Sequence, residues 1–206
     1  MKLSYAITVC NELVEIQRLI TYLLEHKRRE DELVVLFDST NGTKEVEEFL
    51  RAKSINGEFN WHSYPFDGHF ARMKNKLTAL CSGDYIVNID ADEMVNNYLI
   101  EALPQVLEHN KVDVIFVPRI NTVAGLTPEH VSKWGWRVDD NGYVNFPDYQ
   151  WRIYRNDPKI TWENKVHEKL IGYQTMATLP PSEEWCLLHH KTIDKQEKQN
   201  NYYETL

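Results

Sequence analysis

Residues 83–93 read Gly83-Asp84-Tyr85-Ile86-Val87-Asn88-Ile89-Asp90-Ala91-Asp92-Glu93. The run from Tyr85 to Ile89 is short and mostly apolar, which is typical of a strand buried on both faces. An acidic cluster follows directly, and residues two apart in an extended segment point the same way. We therefore expect Asp90 and Asp92 to present paired carboxylates, the oxygen ligands that Mg²⁺ or Mn²⁺ prefers. A D-x-D motif is weak alone, but the strand before it and Glu93 after it make it more specific.

Strand and helix signals alternate on both sides of this segment. Extended runs predict further strands at 3–10, 33–37, 59–64 and 112–117. Apolar residues at helical spacing predict helices at 13–24, 46–50, 70–80 and 99–107. Buried strands joined by helices form parallel sheets that are covered on both faces. The sequence therefore predicts an α/β fold with a mostly parallel central sheet flanked by helices.

The second half of the chain has a different pattern. From 120 to 147 the periodicity fades while Gly, Pro, Asp and Asn accumulate. Short strand-like pieces follow at 151–154 and 185–188, and a polar helix is predicted at 194–206. No repeat or linker interrupts the chain, and 206 residues suit one buried core. We therefore predict a single domain over residues 1–206.

Composition excludes several classes of function. The formal net charge is −8 at pH 7, which argues against a nucleic-acid-binding surface rich in Lys and Arg. Cys10, Cys81 and Cys186 are too far apart for a zinc site or a disulfide framework, which favours a reducing compartment. No apolar run reaches the ~20 residues of a membrane-spanning helix, and the N-terminus is not typical of a secretory signal. We expect a cytoplasmic protein without a transmembrane segment.

Polar residues follow three of the predicted strands. Asn11 and Glu12 come after the first strand, Asp38 after the second, and the acidic cluster after the fourth. Ligands of open parallel sheets bind at the carboxyl ends of the strands. Asp38 alone is explained equally well as a turn-capping residue. The three strand ends together predict a ligand site at one edge of the sheet.

Several stretches of the chain carry a recognisable family pattern. They are Ile7-Thr8-Val9-Cys10-Asn11-Glu12, Phe70-Ala71-Arg72-Met73-Lys74-Asn75, Gly83-Asp84-Tyr85, Asp90-Ala91-Asp92-Glu93, Trp151-Arg152-Ile153-Tyr154-Arg155, Trp162-Glu163-Asn164-Lys165-Val166-His167-Glu168, and Leu187-Leu188-His189 with Lys198-Gln199-Asn200-Asn201-Tyr202. Together they resemble family 2 glycosyltransferases of the GT-A fold. The later stretches are similar to the R-x-F-R…V-H-E and L-L-H…K-x-N-x-Y elements of bacterial lipopolysaccharide-type sugar transferases.

The resemblance implies an inverting, metal-dependent transfer from a nucleoside-diphosphate sugar, with UDP-sugars favoured, to a glycan or other hydroxyl acceptor. Residues 1–119 would bind the nucleotide sugar and residues 120–206 would face the acceptor. Glu168 would be the catalytic carboxylate. The expected metal is Mn²⁺ (or Mg²⁺), with Asp90, Asp92 and His189 as ligands. The expected substrate-binding residues are Thr8, Cys10, Asn11, Glu12, Asp38, Lys74, Asp90, Ala91, Arg152 and Trp134.

Several alternatives stay open at this point. Asp148 is the second candidate for the base, and His190 and His167 compete with His189 as the metal ligand. Aromatic faces stack on sugar rings, so Trp134 and its neighbour Trp136 are candidates for acceptor binding. The remaining tryptophans are expected to pack in the core, namely Trp151, Trp162 and Trp185.

Two further classes of function compete with the transferase. The first is a nucleotidyltransferase that makes a sugar nucleotide, but the turn after the first strand lacks the Gly-rich phosphate loop that such an enzyme needs. The second is a non-catalytic module that binds a nucleotide or glycan. Binding alone would not require Asp90, Asp92, Glu168 and His189 together.

Overall fold

The structure is a computed structural model that describes residues 1–204. The described chain forms these strands: β1 Leu3–Val9, β2 Glu32–Asp38, β3 Asn60–Tyr64, β4 Tyr85–Asp90, β5 Glu93–Met94, β6 Val114–Ala124, β7 Asp148–Arg155, β8 Thr161–Glu163, β9 Lys169–Ile171, β10 Met176–Thr178 and β11 Leu187–Thr192. Its α-helices are α1 Leu13–His26, α2 Lys44–Lys53, α3 Phe70–Thr78, α4 Asn97–Asn110, α5 Pro128–Trp134 and α6 Ile193–Glu204.

Nine of these strands form one sheet in the order β3-β2-β1-β4-β7-β6-β11-β5, with β10 also paired to β6. The strands β1 to β4 are parallel to their neighbours within the first half of the chain. β7 lies antiparallel between β4 and β6, and β5 is antiparallel to β11. The predicted α/β fold is confirmed, and the sheet is mixed because a strand from the second half enters its centre.

Both faces of the sheet are covered. One face packs against α1, α2 and α4, through residues such as Ile16, Val46 and Leu103. The other face packs against α3 and the β8–β9 hairpin, through residues such as Leu77 and Leu170. Successive residues of β2 from Leu33 to Phe37 alternate between these two clusters, which explains why this run is apolar throughout.

The second half holds most of the elements that the sequence pattern did not indicate. α5 is one: Thr127 caps its N-terminus by accepting from the backbone of His130, and Pro128 occupies the first turn. β8, β9 and β10 are only three residues each, too short for a periodic signal. The last helix begins at Ile193 as predicted within one residue, and the final two predicted positions, 205–206, lie outside the described residues.

Residues 1–204 contain no helix with both the length and the apolar character needed to cross a membrane.

Candidate active site

The carboxyl ends of three parallel strands meet at one edge of the sheet. Thr8 of β1 lies opposite Asp90 of β4, and Asp38 ends β2 beside them. A cavity of about 170 Å³, here called the strand-end cavity, opens at this edge. Its wall includes Thr8, Cys10, Glu12, Asp38, Phe66, Phe70, Met73 and Ala91.

A second cavity of about 330 Å³, here called the polar cavity, adjoins the first. It is lined mainly by polar and aromatic residues of the second half, including Arg119, Asn121, Asn145, Asp148, Gln150, Trp136 and Trp151. Five residues line both cavities: Lys74, Asp90, Asp92, Glu168 and Gln199. The predicted acidic pair therefore faces the junction of two cavities at the ligand-bearing edge of the sheet.

Two carboxylates shape the loops around the strand-end cavity. Asp38 accepts hydrogen bonds from the backbone N–H groups of Thr40 at 2.8 Å and Asn41 at 3.1 Å. Glu12 accepts from the backbone of Cys10 at 2.9 Å. Asp38 thus combines both roles considered for it, because it caps its turn and also lines the cavity.

The thiol of Cys10 is held in its neutral form. Burial raises its pKa to about 12, with further contributions from the negative charges of Asp38 and Glu12. Cys10 therefore offers the cavity a neutral, polarizable wall and not a thiolate. Asn11 is exposed and lines a separate shallow depression together with Lys195 and other residues of α6.

Arg152 is a deeply buried cation of the site, with 3% of its surface exposed. Its Nη2 donates to Oδ2 of Asp90 at 2.6 Å and to Oε1 of the fully buried Glu93 at 2.5 Å. Burial disfavours the charge, but the two carboxylates outweigh it and raise the pKa of Arg152. In the same way, burial opposes ionisation of Asp90, while Arg152 and Lys74 hold its pKa well below the usual range.

Arg152 belongs to a longer array of alternating charges. Glu93 also accepts from Arg119 at 2.9 Å, and Arg119 pairs with Asp148 at 2.7 Å. At the other end, Lys74 lies 3.7 Å from Asp90 and 2.7 Å from Glu168. We call this array the ion chain; its order is Asp148, Arg119, Glu93, Arg152, Asp90, Lys74 and Glu168. The two candidates for the catalytic base are its two ends.

These two carboxylates have different surroundings. Oδ2 of Asp148 accepts from Arg119 and Asn121, and Oδ1 accepts from Gln150 at 2.7 Å. Burial raises the pKa of Asp148, but Arg119 and these hydrogen bonds lower it further than burial raises it. Asp148 is therefore a weak proton acceptor whose oxygens already have partners. Glu168 lies at the junction of the cavities, with Lys74 on its Oε1.

The candidate metal ligand His189 lies next to Asp92. It is 7% exposed, and its Nε2 is 3.4 Å from Oδ2 of Asp92, where Nζ of Lys195 also lies at 3.3 Å. Burial raises the pKa of Asp92, but His189 and Lys195 hold it far below the usual range.

The two competing histidines are placed differently. His190, the next residue of β11, is exposed and contacts the hydroxyl of Thr122. His167 lines the polar cavity from a loop where its backbone adopts a left-handed conformation, with φ of 54°. His189 is therefore the candidate whose ring nitrogen stands beside Asp92.

The predicted metal ligands are Asp90, Asp92 and His189. Within residues 1–204, no three His, Cys, Asp or Glu side chains converge closely enough to hold an ion by themselves. Asp90 turns to Arg152, so Asp92 and His189 remain as two adjacent candidate ligands. Two protein ligands fit a cation that also takes phosphate oxygens of a substrate, as Mg²⁺ commonly does. The metal and the ligand role of Asp90 stay predictions.

Aromatic side chains line the polar cavity. Trp136 lines this cavity, and the ring centroid of Trp134 lies 4.6 Å from that of Trp136. Trp151 and Trp162 also line the cavity, although the sequence favoured core packing for them. Trp162 is 5% exposed and lies 4.6 Å from the ammonium of Lys74, so it combines both roles.

Sequence reasoning missed Arg119, Asn121 and Gln150. A signal for the first two is present, since they stand two apart and follow the apolar start of β6, so both point to one side of the sheet. Gln150 carries the same kind of signal, since it stands two positions from Asp148 and from Arg152, and all three residues line the polar cavity.

The sequence profile described as glycosyl transferase family 2 matches residues 4–176. This chain belongs to glycosyltransferase family 2. The match spans the strand ends, the acidic pair and Glu168. The family match favours the transferase over the nucleotidyltransferase and over the non-catalytic module. No curated protein matches the chain in sequence.

Solved structures with the same fold include the glycosyltransferase TarS of S. aureus. The fragment 1–349 of TarS superposes with a TM-score of 0.65 at 14% identity, covering 92% of this chain and 60% of the fragment. Its complex with UDP-GlcNAc gives a TM-score of 0.64 at 16% identity, covering 93% and 59%. This family 2 chain therefore has the GT-A fold, and it spans about three fifths of the TarS fragment.

Proposed function

We propose that this glycosyltransferase moves a sugar from a nucleoside-diphosphate donor, preferably a UDP-sugar, to a hydroxyl of a glycan or similar acceptor, with inversion at the anomeric carbon. The observation that carries the proposal is the pair of adjoining cavities with Lys74, Asp90, Asp92 and Glu168 at their junction. The choice of UDP is supported by the TarS structures, which were solved with UDP and UDP-GlcNAc.

The strand-end cavity suits the nucleotide. It lies at the carboxyl ends of parallel strands, where α/β folds bind such ligands. Thr8, Cys10 and Asp38 line it, and Lys74 stands where it joins the polar cavity, a position from which its ammonium would meet the diphosphate.

The polar cavity suits the acceptor. Its wall combines tryptophan faces with amides and charged groups, which match the apolar faces and the hydroxyls of a sugar. With the nucleotide in one cavity and the acceptor in the other, the anomeric carbon would lie at the junction.

Glu168 is the base in this arrangement. An acceptor oxygen attacks the anomeric carbon while the bond from that carbon to the diphosphate oxygen breaks. Glu168 takes the proton of the acceptor hydroxyl, and the electron pair of the breaking bond leaves with the diphosphate. A positioned base of this kind contributes ~10²–10⁴-fold to the rate.

A divalent cation, Mn²⁺ or Mg²⁺, would be held by Asp92 and His189 and would supply neutralising charge to the diphosphate as it leaves. Lys74 and Lys195 contribute positive charge to the same region from the chain itself. Arg152 fixes the direction of Asp90, so that the strand end keeps its shape when the donor binds.

The test replaces Glu168 by Gln, which keeps the size of the side chain and removes the base. Donor affinity, measured by calorimetry with UDP-sugars and Mn²⁺, should change little, while turnover should fall ~10²–10⁴-fold. Glu163→Gln is the matched control, because Glu163 lies exposed on the neighbouring β8. Turnover of Glu168→Gln equal to that of the control would remove Glu168 from the role. Turnover of the wild type with a panel of UDP- and GDP-sugars identifies the nucleotide of the donor. Turnover with GDP-sugars alone would contradict the preference for UDP.

A further inference from the structure

Asn121 lies between the two halves of the site. It stands on β6 directly opposite His189 of β11, where the strands pair in parallel register. Its Nδ2 donates to Oδ2 of Asp148 at 2.8 Å, and its Oδ1 is 2.7 Å from Nδ1 of His189. One amide thus connects an end of the ion chain to the imidazole beside Asp92.

The polarity of these contacts fixes where a proton must be. Asp148 is ionised, because its pKa is lowered, and an ionised carboxylate only accepts hydrogen bonds. The NH₂ group of Asn121 must therefore face Asp148, which leaves the amide oxygen facing His189. An amide oxygen only accepts, so Nδ1 of His189 must carry the hydrogen of this bond.

We propose that Asn121 is a positioning residue that holds the proton of His189 on Nδ1 and directs Nε2 toward Asp92. The inference about Asn121 rests on the proposed function only in the part that concerns the metal. A metal-bound histidine uses the nitrogen that carries no proton, and the partner of the other nitrogen selects it. Without Asn121, Nδ1 would lose this acceptor while Oδ2 of Asp92 would remain 3.4 Å from Nε2, so the proton would move to Nε2, the nitrogen needed for the metal.

The direct measurement is the ¹⁵N NMR spectrum of the histidine rings in alkaline, metal-free buffer, with His189 assigned by comparison with His189→Gln. In the wild type, Nδ1 of His189 should carry a proton. In Asn121→Leu, Nδ1 should lose it and Nε2 should gain it. An unprotonated Nδ1 in the wild type, or an unchanged ring in Asn121→Leu, would overturn the proposal.

Mn²⁺ affinity supplies a second measurement. Asn121→Leu should bind Mn²⁺ 10–100-fold more weakly in the presence of UDP, which is the usual effect of losing such a partner. The matched control is Thr122→Val, which removes the corresponding contact to the exposed His190 one position along the same strands. Equal affinities of Asn121→Leu and Thr122→Val would refute the role of Asn121. Absence of Mn²⁺ binding by the wild type would instead refute the metal in the proposed function, and the NMR result would still decide the role of Asn121.

Discussion

Replacing Arg152 by Met tests whether the ion chain stabilises the fold. Met has a similar length without the charge, so it removes both short contacts of the guanidinium. It leaves Asp90 and the fully buried Glu93 without their shared cation. Buried carboxylates that lose a partner are strongly destabilising, because the desolvation cost of the charge remains.

The size of the effect follows from what each carboxylate keeps. Breaking a buried ion pair costs ~3–5 kcal/mol. Glu93 retains Arg119 at 2.9 Å, and Asp90 retains Lys74 at 3.7 Å, so the lower end of this range applies. In a domain of this size, each kcal/mol lowers the Tm by ~2–4 °C, which gives a fall of roughly 6–12 °C.

The assay is thermal and urea unfolding of the wild type and Arg152→Met at neutral pH. Arg51→Met is the control, since Arg51 forms an exposed pair with Glu47 on α2 and pairs of this kind contribute at most ~1 kcal/mol. A Tm for Arg152→Met within 2 °C of the control would refute the reasoning.

The same comparison has a defined pH dependence. The folded state lowers the pKa of Asp90 below its ordinary value of 3.8, and Arg152 is the largest cause that acts in this direction. A carboxyl group whose pKa is lowered by folding stabilises the fold above its ordinary pKa. This contribution is lost as the pH falls from the ordinary pKa toward the lowered one. The difference in unfolding free energy between the wild type and Arg152→Met should therefore shrink as the pH drops below about 4. An equal difference at pH 7 and pH 3 would contradict this origin.

Two further predictions concern Asp92 and Glu32. Asp92→Asn should raise the Mn²⁺ concentration needed for half-maximal activity at least about tenfold, as expected for a direct ligand, and an unchanged Mn²⁺ titration would remove it from that role. Burial disfavours ionisation of Glu32, but hydrogen bonds from Lys2, Ser4 and Ser82 lower its pKa from 4.5 to about 2. Glu32→Gln should therefore lose the most stability above pH 4.5, and the loss should vanish toward pH 2, as measured by urea unfolding across this range.

The first half of the site could be predicted because its signals are local. Each strand there is an apolar run that ends in a polar residue, and parallel strands bring such ends to one edge. Thr8, Asp38 and Asp90 meet in this way. The glycine before β4 also has a structural reason, because a Cβ at Gly83 would lie 2.7 Å from the backbone nitrogen of Ser4. Only a residue without a side chain allows β4 to begin so close to β1.

The second half could be predicted only through family resemblance. β7 enters between β4 and β6, an antiparallel position that no periodicity indicates. This insertion brings Arg152 to Asp90, which lies 62 positions earlier in the chain. Pairings across such separations depend on strand order, and the amino-acid pattern of a single strand carries no information about its neighbours.

The ion chain also explains why its two end carboxylates suit different tasks. At one end, Asp148 is closed in by a guanidinium and two amides, so an acceptor hydroxyl would have to displace an existing donor to reach it. At the other end, Glu168 borders both cavities, where a sugar and its acceptor would meet. Asp148 is thus suited to orient Asn121, whereas Glu168 is suited to accept a proton. Because the two proposals depend on opposite ends of the chain, Glu168→Gln and Asn121→Leu can fail independently of each other.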